Sequence, residues 1–208
     1  MEKTFLSFVM NHFQYLVSDY DFSVKKIEIS GRAPEIEGRI ELENVTTFVT
    51  VSSEQGAVGA SVGRVKDDKY RFFLNPTTIH EYIVLTESDK KLVCSLDPKD
   101  DRRVRMIIHK IRLVHQKDDS DNFIGDVNKQ LFDYSQWLQQ YAKPFLQGDF
   151  SQWLKVYEYK VARTRSAYIR SGKVELVRAV GLNKDERISI FQSSLDYLEK
   201  LREEYGKR

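Results

Sequence analysis

The sequence has a single cysteine, Cys94, among 208 residues. One cysteine excludes an intramolecular disulfide, and this usage fits a reducing compartment. No run approaches the roughly 18 apolar residues that a membrane helix needs. The N-terminal segment MEKTFLSFVMNHF has one basic residue and no small-residue cleavage site, so it does not resemble a signal peptide. We therefore expect a cytoplasmic protein with no membrane partner.

Motifs of metal and nucleophilic chemistry are also missing. The four histidines lack the HExxH spacing of metalloproteases, and Cys94 has no CxxC neighbour. We therefore predict no metal site and no cofactor. The letters GxSxG do occur around Ser61, but their flanks read as continuing strand, whereas a nucleophile elbow needs a strand-to-helix turn. Ser61 and Cys94 are interpreted as structural residues, so no catalytic residue is assigned.

The composition is that of an ordinary globular protein: 41% of residues are hydrophobic and 31% are charged, with a net charge of +2. A net charge so close to zero gives no global field that would steer nucleic acid or a membrane. The length predicts one domain over residues 1–208. An alternative division has a helix and β-meander over 1–96 and a helical part over 97–208.

Helical and strand periodicities are segregated along the chain. Residues Thr4 to Ser18 have apolar residues at helical spacing, whereas the pattern from Val24 to Phe73 has a period of two. This segregation predicts an α+β fold with an antiparallel meander of about four or five strands. An N-terminal helix and a C-terminal helical bundle flank the meander. Gly59 and Gly63 inside a strand indicate a bulge or the close approach of another backbone.

Proline marks the start of two predicted helices. Asn75-Pro76 has asparagine as N-cap and proline at the first helical position. Asp97-Pro98 repeats that signal before an apolar stripe with helical spacing, formed by Val104, Ile107, Ile108, Ile111 and Val114. The charged cluster 87–91 is interpreted as the end of the first of these helices. Residues 87–96 and 162–182 have no clear secondary-structure pattern.

The stretch Gln130 to Tyr159 contains both tryptophans and predicts two consecutive helices. Gly148 follows the last apolar residue of the first helix, as a left-handed C-terminal cap requires. Asp149 and Gln152 together predict the capping box of the second helix. Pro144 predicts a kink, or a break after which the proline restarts the helix. The aromatic stripe of this stretch is interpreted as core.

Charge is polarised along the chain. The acidic residues of the N-terminal sheet that we consider as partner-binding are Glu35, Glu37, Glu41 and Glu43. The C-terminal part has a basic stretch interleaved with aromatics, whose candidate nucleic-acid-binding members are Lys160, Arg163, Arg165, Tyr168, Arg170 and Lys173. Polarised charge suits protein recognition through complementary patches, whereas basic residues among aromatics can bind single-stranded nucleic acid.

Three stretches resemble a known set of proteins. They are FQYLVSDYDF, VTTFVTVSSEQGAVGASVGRV and YAKPFLQGDFSQW. They resemble a loose set of small uncharacterised bacterial α+β proteins, some of which look like immunity proteins of polymorphic toxin systems. The resemblance spans Phe5 to Trp153 and rests on structural motifs, so it implies a fold more than a function. The basic stretch lies beyond it.

The favoured hypothesis is a non-enzymatic bacterial protein that binds another protein, as an immunity-like antitoxin does. In that reading, the four sheet glutamates meet a basic toxin surface. One alternative is a nucleic-acid-associated protein that uses the basic stretch. A second alternative is an enzyme whose site no short motif reveals.

Overall fold

The computed structural model describes residues 5–30, 37–54, 56–67, 73–95, 106–107, 126–170 and 184–206. The side chains at positions 30, 37, 164–170 and 184–191 are not part of this description. Most of the predicted helix after Asp97-Pro98 lies outside the described residues. Its members Met106 and Ile107 are helical, and Ile107 is buried whereas Met106 is exposed.

Helices and strands follow one another as the segregated periodicities predict, and the architecture is α+β. The strands are β1 (Ser23–Ser30), β2 (Glu37–Glu43), β3 (Thr47–Glu54), β4 (Ala57–Arg64) and β5 (Phe73–Leu74). The helices are α1 (Phe5–Tyr20), α2 (Pro76–Ile83), α3 (Glu87–Ser95), α4 (Val127–Tyr141), α5 (Lys143–Leu146), α6 (Trp153–Arg170) and α7 (Lys184–Tyr205). A short 3₁₀ turn, Val65–Asp67, follows β4.

The chain forms two compact units. Unit 1 comprises Met1–His80 and Asp119–Phe150, and unit 2 comprises Glu81–Asp118 and Ser151–Arg208. Unit 1 contains the sheet with α1, α4 and α5, and unit 2 contains α3, α6 and α7. The single domain over 1–208 and its alternative division after residue 96 stay predictions.

The sheet of unit 1 is a meander of five strands in the order β1-β2-β3-β4-β5, and each neighbouring pair is antiparallel. A register shift between Val24 and Lys26 places a bulge in β1. The β3–β4 pairing is continuous through Gly59 and Gly63, so these glycines mark no bulge. Gly63 instead allows a close approach, because a Cβ there would lie 2.3 Å from the Phe48 ring.

Helices α1 and α4 pack against each other and against the sheet. The sheet face that they cover is apolar and buried, with Ile40, Leu42, Val49, Val51, Val58 and Val62. Gln130 of α4 holds the β3–β4 turn: its Oε1 accepts from the Val58 N–H at 2.9 Å and its Nε2 donates to the Gly56 carbonyl at 2.8 Å. Ser135 Oγ donates to the His12 carbonyl at 2.6 Å, which joins α4 to α1.

The proline and glycine signals after α4 are confirmed. Helix α4 ends at Tyr141, and the short helix α5 restarts with Pro144 in its first turn. Gly148 then has φ +80°. The Gly148 N–H bonds to the Phe145 carbonyl at 3.0 Å, and the Asp149 N–H bonds to the Pro144 carbonyl at 2.9 Å. These two bonds form a Schellman cap, as the sequence predicts.

The predicted capping box at Asp149 and Gln152 is wrong, because α6 begins at Trp153. The Asp149 N–H closes the preceding cap, and the first backbone bond into α6 runs from the Val156 N–H to the Gln152 carbonyl at 3.1 Å. Residues 147–152 therefore lie between the end of α5 at Leu146 and the start of α6 at Trp153.

The Asn75-Pro76 helix start is confirmed, since Asn75 Oδ1 accepts from the Thr77 N–H at 2.7 Å. The interpretation of residues 87–91 as a helix end is wrong, because α3 begins there. Thr86 Oγ1 accepts from the Asp89 N–H at 3.1 Å, so Thr86 caps α3. Glu87 and Asp89 lie in its first turn, where the helix dipole favours acids.

Unit 2 has a core rich in tryptophan and tyrosine. Trp153 is fully buried and its Nε1 donates to the Tyr197 hydroxyl at 3.0 Å. Tyr157 meets the Tyr197 ring edge-on at 4.9 Å between centroids. Helix α6 packs on α3 and α7. The aromatic residues Trp153, Tyr157 and Tyr159 of α6 therefore form core, as the helical spacing predicts, whereas Tyr134, Trp137 and Tyr141 of α4 are half-buried.

Candidate functional site

The face of the sheet opposite α1 and α4 is polar, and we call it the outer face. Directly paired residues of antiparallel strands share a face. The register therefore places Glu28 of β1, Arg39 of β2, Ser52 of β3 and Gly59 of β4 in one row across this face. The next row is Lys26, Glu41, Thr50 and Ser61. Hydroxyl groups and charges of both signs thus converge on one surface.

A pocket of about 490 Å³ opens on the outer face. Its lining includes Arg39 and the hydroxyl-bearing residues Thr50, Ser52 and Ser61, and Phe73 adds an aromatic ring. Gly59 also lines it, and a Cβ there would lie 3.3 Å from Ser52 Oγ. The small residues of β4 therefore leave space beside the larger side chains of β2 and β3.

Three polar atoms on residues that line this pocket have no hydrogen-bond partner among the described residues. They are Thr50 Oγ1, on a residue only 7% exposed, Ser53 Oγ, and Arg39 Nε. The Arg39 guanidinium lies 3.6 Å from a carboxylate oxygen of Glu41, an ion-pair distance too long for a hydrogen bond. A buried hydroxyl without a partner costs about 1–3 kcal/mol. A site with such an unpaired group is a candidate for a ligand that supplies the missing hydrogen bond.

Charges on the outer face alternate in sign between neighbours. Lys26 Nζ lies 2.6 Å from a Glu28 oxygen, and this hydrogen bond, together with the charges of Lys26 and Arg39, holds the pKa of Glu28 below its usual range. Lys25 lies 3.7 Å from Glu43. Each cation therefore has an acid beside it, so a partner meets an ordered pattern rather than a patch of one sign.

The predicted acidic residues are partly brought together. Glu41 and Glu43 both lie on the outer face of β2, where Glu41 is buried and Glu43 is half-buried. Glu37 opens β2 and pairs with Ser30 in the register, although its side chain is not described. Glu35 lies outside the described residues.

The predicted basic residues with described side chains make internal contacts in unit 2. Arg163 Nε donates to Glu81 at 3.1 Å, and the Tyr159 hydroxyl donates to the same carboxylate oxygen at 3.2 Å. Lys160 Nζ lies 5.3 Å from the centre of the Tyr157 ring, and burial lowers the pKa of Lys160 to about 8. Of the other four, Arg165, Tyr168 and Arg170 belong to α6 with undescribed side chains, and Lys173 lies outside the described residues.

Ser61 and Cys94 lie in different units. Ser61 is buried within β4, which continues to Arg64, so the local chain is strand rather than a strand-to-helix elbow. Burial and the nearby Glu158 carboxylate raise the pKa of Cys94 to about 12. A thiol with that pKa stays protonated at neutral pH, which disfavours a nucleophilic role.

The described histidines are engaged separately. His80 stacks on Tyr141, with ring centroids 4.4 Å apart, and His12 Nε2 lies 2.9 Å from Asn128 Oδ1. His109 and His115 lie outside the described residues. Across the described ranges, no group of three or more histidine, cysteine, aspartate or glutamate side chains has the spacing of a metal site.

The sequence singled out residues of the outer-face pocket, such as Gly59 and Ser61, but neither was interpreted as part of a binding site. The signal of the pocket is the alternation in β3, where Val49 and Val51 alternate with Thr50 and Ser52. That pattern predicts one apolar and one polar face, but it does not show which hydroxyl lacks a partner.

The chain was compared with protein-family models, with curated proteins and with solved structures. None of the three comparisons gives a match. Of the helices in the described part of the chain, none combines the length and the apolar character needed to cross a membrane. The resemblance to immunity-like bacterial proteins stays a prediction.

Proposed function

We propose that this chain is a non-enzymatic protein-binding protein of the immunity-like antitoxin type. It would bind its partner through the outer face of the sheet. The observation that carries the proposal is the pocket in which Thr50 Oγ1 and Arg39 Nε lack hydrogen-bond partners among the described residues. Because both atoms are buried, a partner would satisfy them by displacing the side chains that cover them.

The chemistry of the pocket defines what the partner must present. Arg39 Nε is a donor, so it requires an acceptor such as a main-chain carbonyl or a side-chain amide oxygen. The Thr50 hydroxyl can donate to the same group or accept from a neighbouring N–H. A loop of a protein partner offers carbonyl and N–H groups side by side, and Phe73, which is 41% exposed, offers apolar contact beside them.

The charges of the face favour a basic partner surface. The acids of this face, Glu28, Glu41, Glu43 and Glu54, outnumber its cations, Lys25, Lys26 and Arg39, by one. Excess acid repels the phosphates of nucleic acid and steers a basic protein surface toward the sheet. The proposal thus retains Glu41 and Glu43 as partner-binding residues, together with Glu35 and Glu37.

A titration against the product of the neighbouring gene tests this function, with single-stranded DNA and RNA oligonucleotides as parallel ligands. We expect binding to the protein and none to the oligonucleotides. Arg39→Gln should weaken binding about tenfold or more, because it removes a charged donor from the centre of the interface. Lys91→Gln on α3 is the control, since Lys91 is an exposed cation of unit 2.

The outcomes separate the hypotheses. Equal loss of affinity in Arg39→Gln and Lys91→Gln would point to a general charge effect and would contradict the assigned site. Binding to oligonucleotides alone, with strong dependence on salt, would replace this function by the nucleic-acid alternative. If neither ligand binds at micromolar concentration, the protein-binding function is wrong for this partner and the enzyme alternative becomes the leading hypothesis.

A further inference from the structure

Strand β1 lies at one edge of the sheet. Among the described residues its only strand neighbour is β2, so the second row of backbone N–H and C=O groups has no strand beside it. Three apolar side chains of β1 are unusually exposed: Val24 at 38%, Ile27 at 46% and Ile29 at 50%. A long edge strand with exposed apolar side chains is a template for pairing with another strand.

We propose that two copies of this chain pair through β1 in an antiparallel arrangement, with Ile27 of one copy opposite Ile27 of the other. The sequence of β1 is self-complementary about that residue, since Lys26 precedes it and Glu28 follows it. Antiparallel pairing about Ile27 therefore places Lys26 of each copy opposite Glu28 of the other. The pairing would join two five-stranded sheets into one continuous sheet.

Charge selects this register over its neighbours. In a continuous sheet, residues directly opposite each other share a face. Centring the pairing on Lys26 would set two lysines opposite each other, and centring it on Glu28 would set two glutamates opposite each other. Like charges directly opposite are destabilising, whereas opposite charges contribute favourably. Only the Ile27-centred register gives two attractive cross-strand pairs.

The charges on β1 are available for this role. The Lys26 and Glu28 side chains are 52% and 50% exposed, and they already lie 2.6 Å apart on the same face. In the paired form the two copies would build a square of alternating charges. An edge lysine ordinarily opposes pairing with another strand, but here each lysine meets a glutamate.

The bulge in β1 limits the length of the contact. The regular part of β1 runs from Lys26 to Ser30, because the register shifts between Val24 and Lys26. The contact is therefore short, and a short contact gives a weak dimer whose population depends on concentration. The contact borders the proposed partner site, because Glu28 also lines the pocket, whereas Arg39 and Thr50 lie on β2 and β3.

Sedimentation equilibrium over a range of concentrations tests the proposal. The average mass measured for the parent chain should increase from the monomer value of 24.4 kDa toward twice that value as concentration increases. A mass that stays at the monomer value up to about 1 mM would overturn the proposal.

Charge exchange identifies the register. Glu28→Lys and Lys26→Glu should each raise the dissociation constant about tenfold or more, because all four central charges then have one sign. The double variant Lys26→Glu/Glu28→Lys should dimerise like the parent. An equimolar mixture of the two single variants should form a mixed dimer, because every central pair is then opposite in sign.

Circular dichroism melting of each single variant shows whether it is folded, and the mixed dimer separates a register effect from a folding effect. A parent dimer that survives both single variants would overturn the assignment to β1. The same conclusion would follow if neither the double variant nor the mixture recovered the dimer.

Discussion

Substitution of Gly148 tests the cap that ends α5. Gly148 has φ +80°, a conformation that costs a residue with a Cβ about 1–2 kcal/mol. A Cβ at this position would also lie 2.8 Å from Thr46 Oγ1, which is held by Asn44 Oδ1 at 3.3 Å and by Thr47 Oγ1 at 3.1 Å. Displacing this hydroxyl adds about 1 kcal/mol or more. Gly148→Ala should therefore destabilise the chain by about 2–3 kcal/mol.

Urea unfolding followed by circular dichroism measures this loss as a lower midpoint with an unchanged slope. The backbone and steric contributions separate in a double-mutant cycle with Thr46→Ala, which removes the atoms that the new Cβ would meet. In the Thr46→Ala background, Gly148→Ala should lower the free energy of unfolding by about 1 kcal/mol less than it does in the parent. In the parent, Gly148→Asn should be less destabilising than Gly148→Ala, because asparagine tolerates a left-handed backbone. A parent-like midpoint for Gly148→Ala would refute the cap, and equal costs in both backgrounds would refute the contact with Thr46.

Two further predictions concern one polar residue in each unit. Thr47 is fully buried and its Oγ1 donates to the Phe145 carbonyl at 2.7 Å, so Thr47→Val should lower the free energy of unfolding by about 1–2 kcal/mol in urea titrations; a stability equal to that of the parent would contradict the bond. The pKa of Lys160 is lowered to about 8, so the folded state binds fewer protons than the unfolded state between about pH 8 and the ordinary lysine pKa. Lys160→Met should therefore raise the free energy of unfolding at pH 7. The net gain should be about 1–2 kcal/mol, because the loss of the contact between Lys160 and the Tyr157 ring cancels part of it. The gain should shrink as pH rises from 8 to 10. Both proteins contain the same Cys94 and tyrosines, so the difference reports Lys160 alone, and a gain independent of pH would contradict the lowered pKa.

Local signals in the sequence predicted much of unit 1. Asn75-Pro76 and Gly148 act through the backbone of their own segments, so neighbours in sequence are sufficient to place them. The meander was predictable because apolar residues at a period of two in β3 and β4, such as Val49, Val51 and Val62, lie on the face that α1 and α4 cover. The start of α3 was missed although Thr86 and Asp89 carry its capping bond, because charge at 87–91 was interpreted as a helix end rather than as the acidic first turn of a helix.

The candidate site was less predictable than the fold. Glu41 and Glu43 were singled out by their charge, and charge alone does not show that Glu41 is buried beside Arg39. Thr47 and Thr50 lie in the same strand, yet one hydroxyl has a partner 98 residues away and the other has none among the described residues. That difference depends on strand register and on the position of α5, so it emerges only from the three-dimensional structure.

In the proposed function, the unpaired Thr50 hydroxyl lowers the stability of the chain and contributes to partner binding, and Thr50→Val tests this directly. Valine keeps the shape and strand propensity of threonine while removing the unpaired hydroxyl. In urea unfolding, the free energy of unfolding of the variant should equal that of the parent or exceed it by about 1 kcal/mol. In a titration with the neighbouring gene product, its affinity should fall about fivefold or more. A variant that loses stability and keeps full affinity would contradict the account, because Thr50 would then be a structural residue and the pocket would not be the binding site.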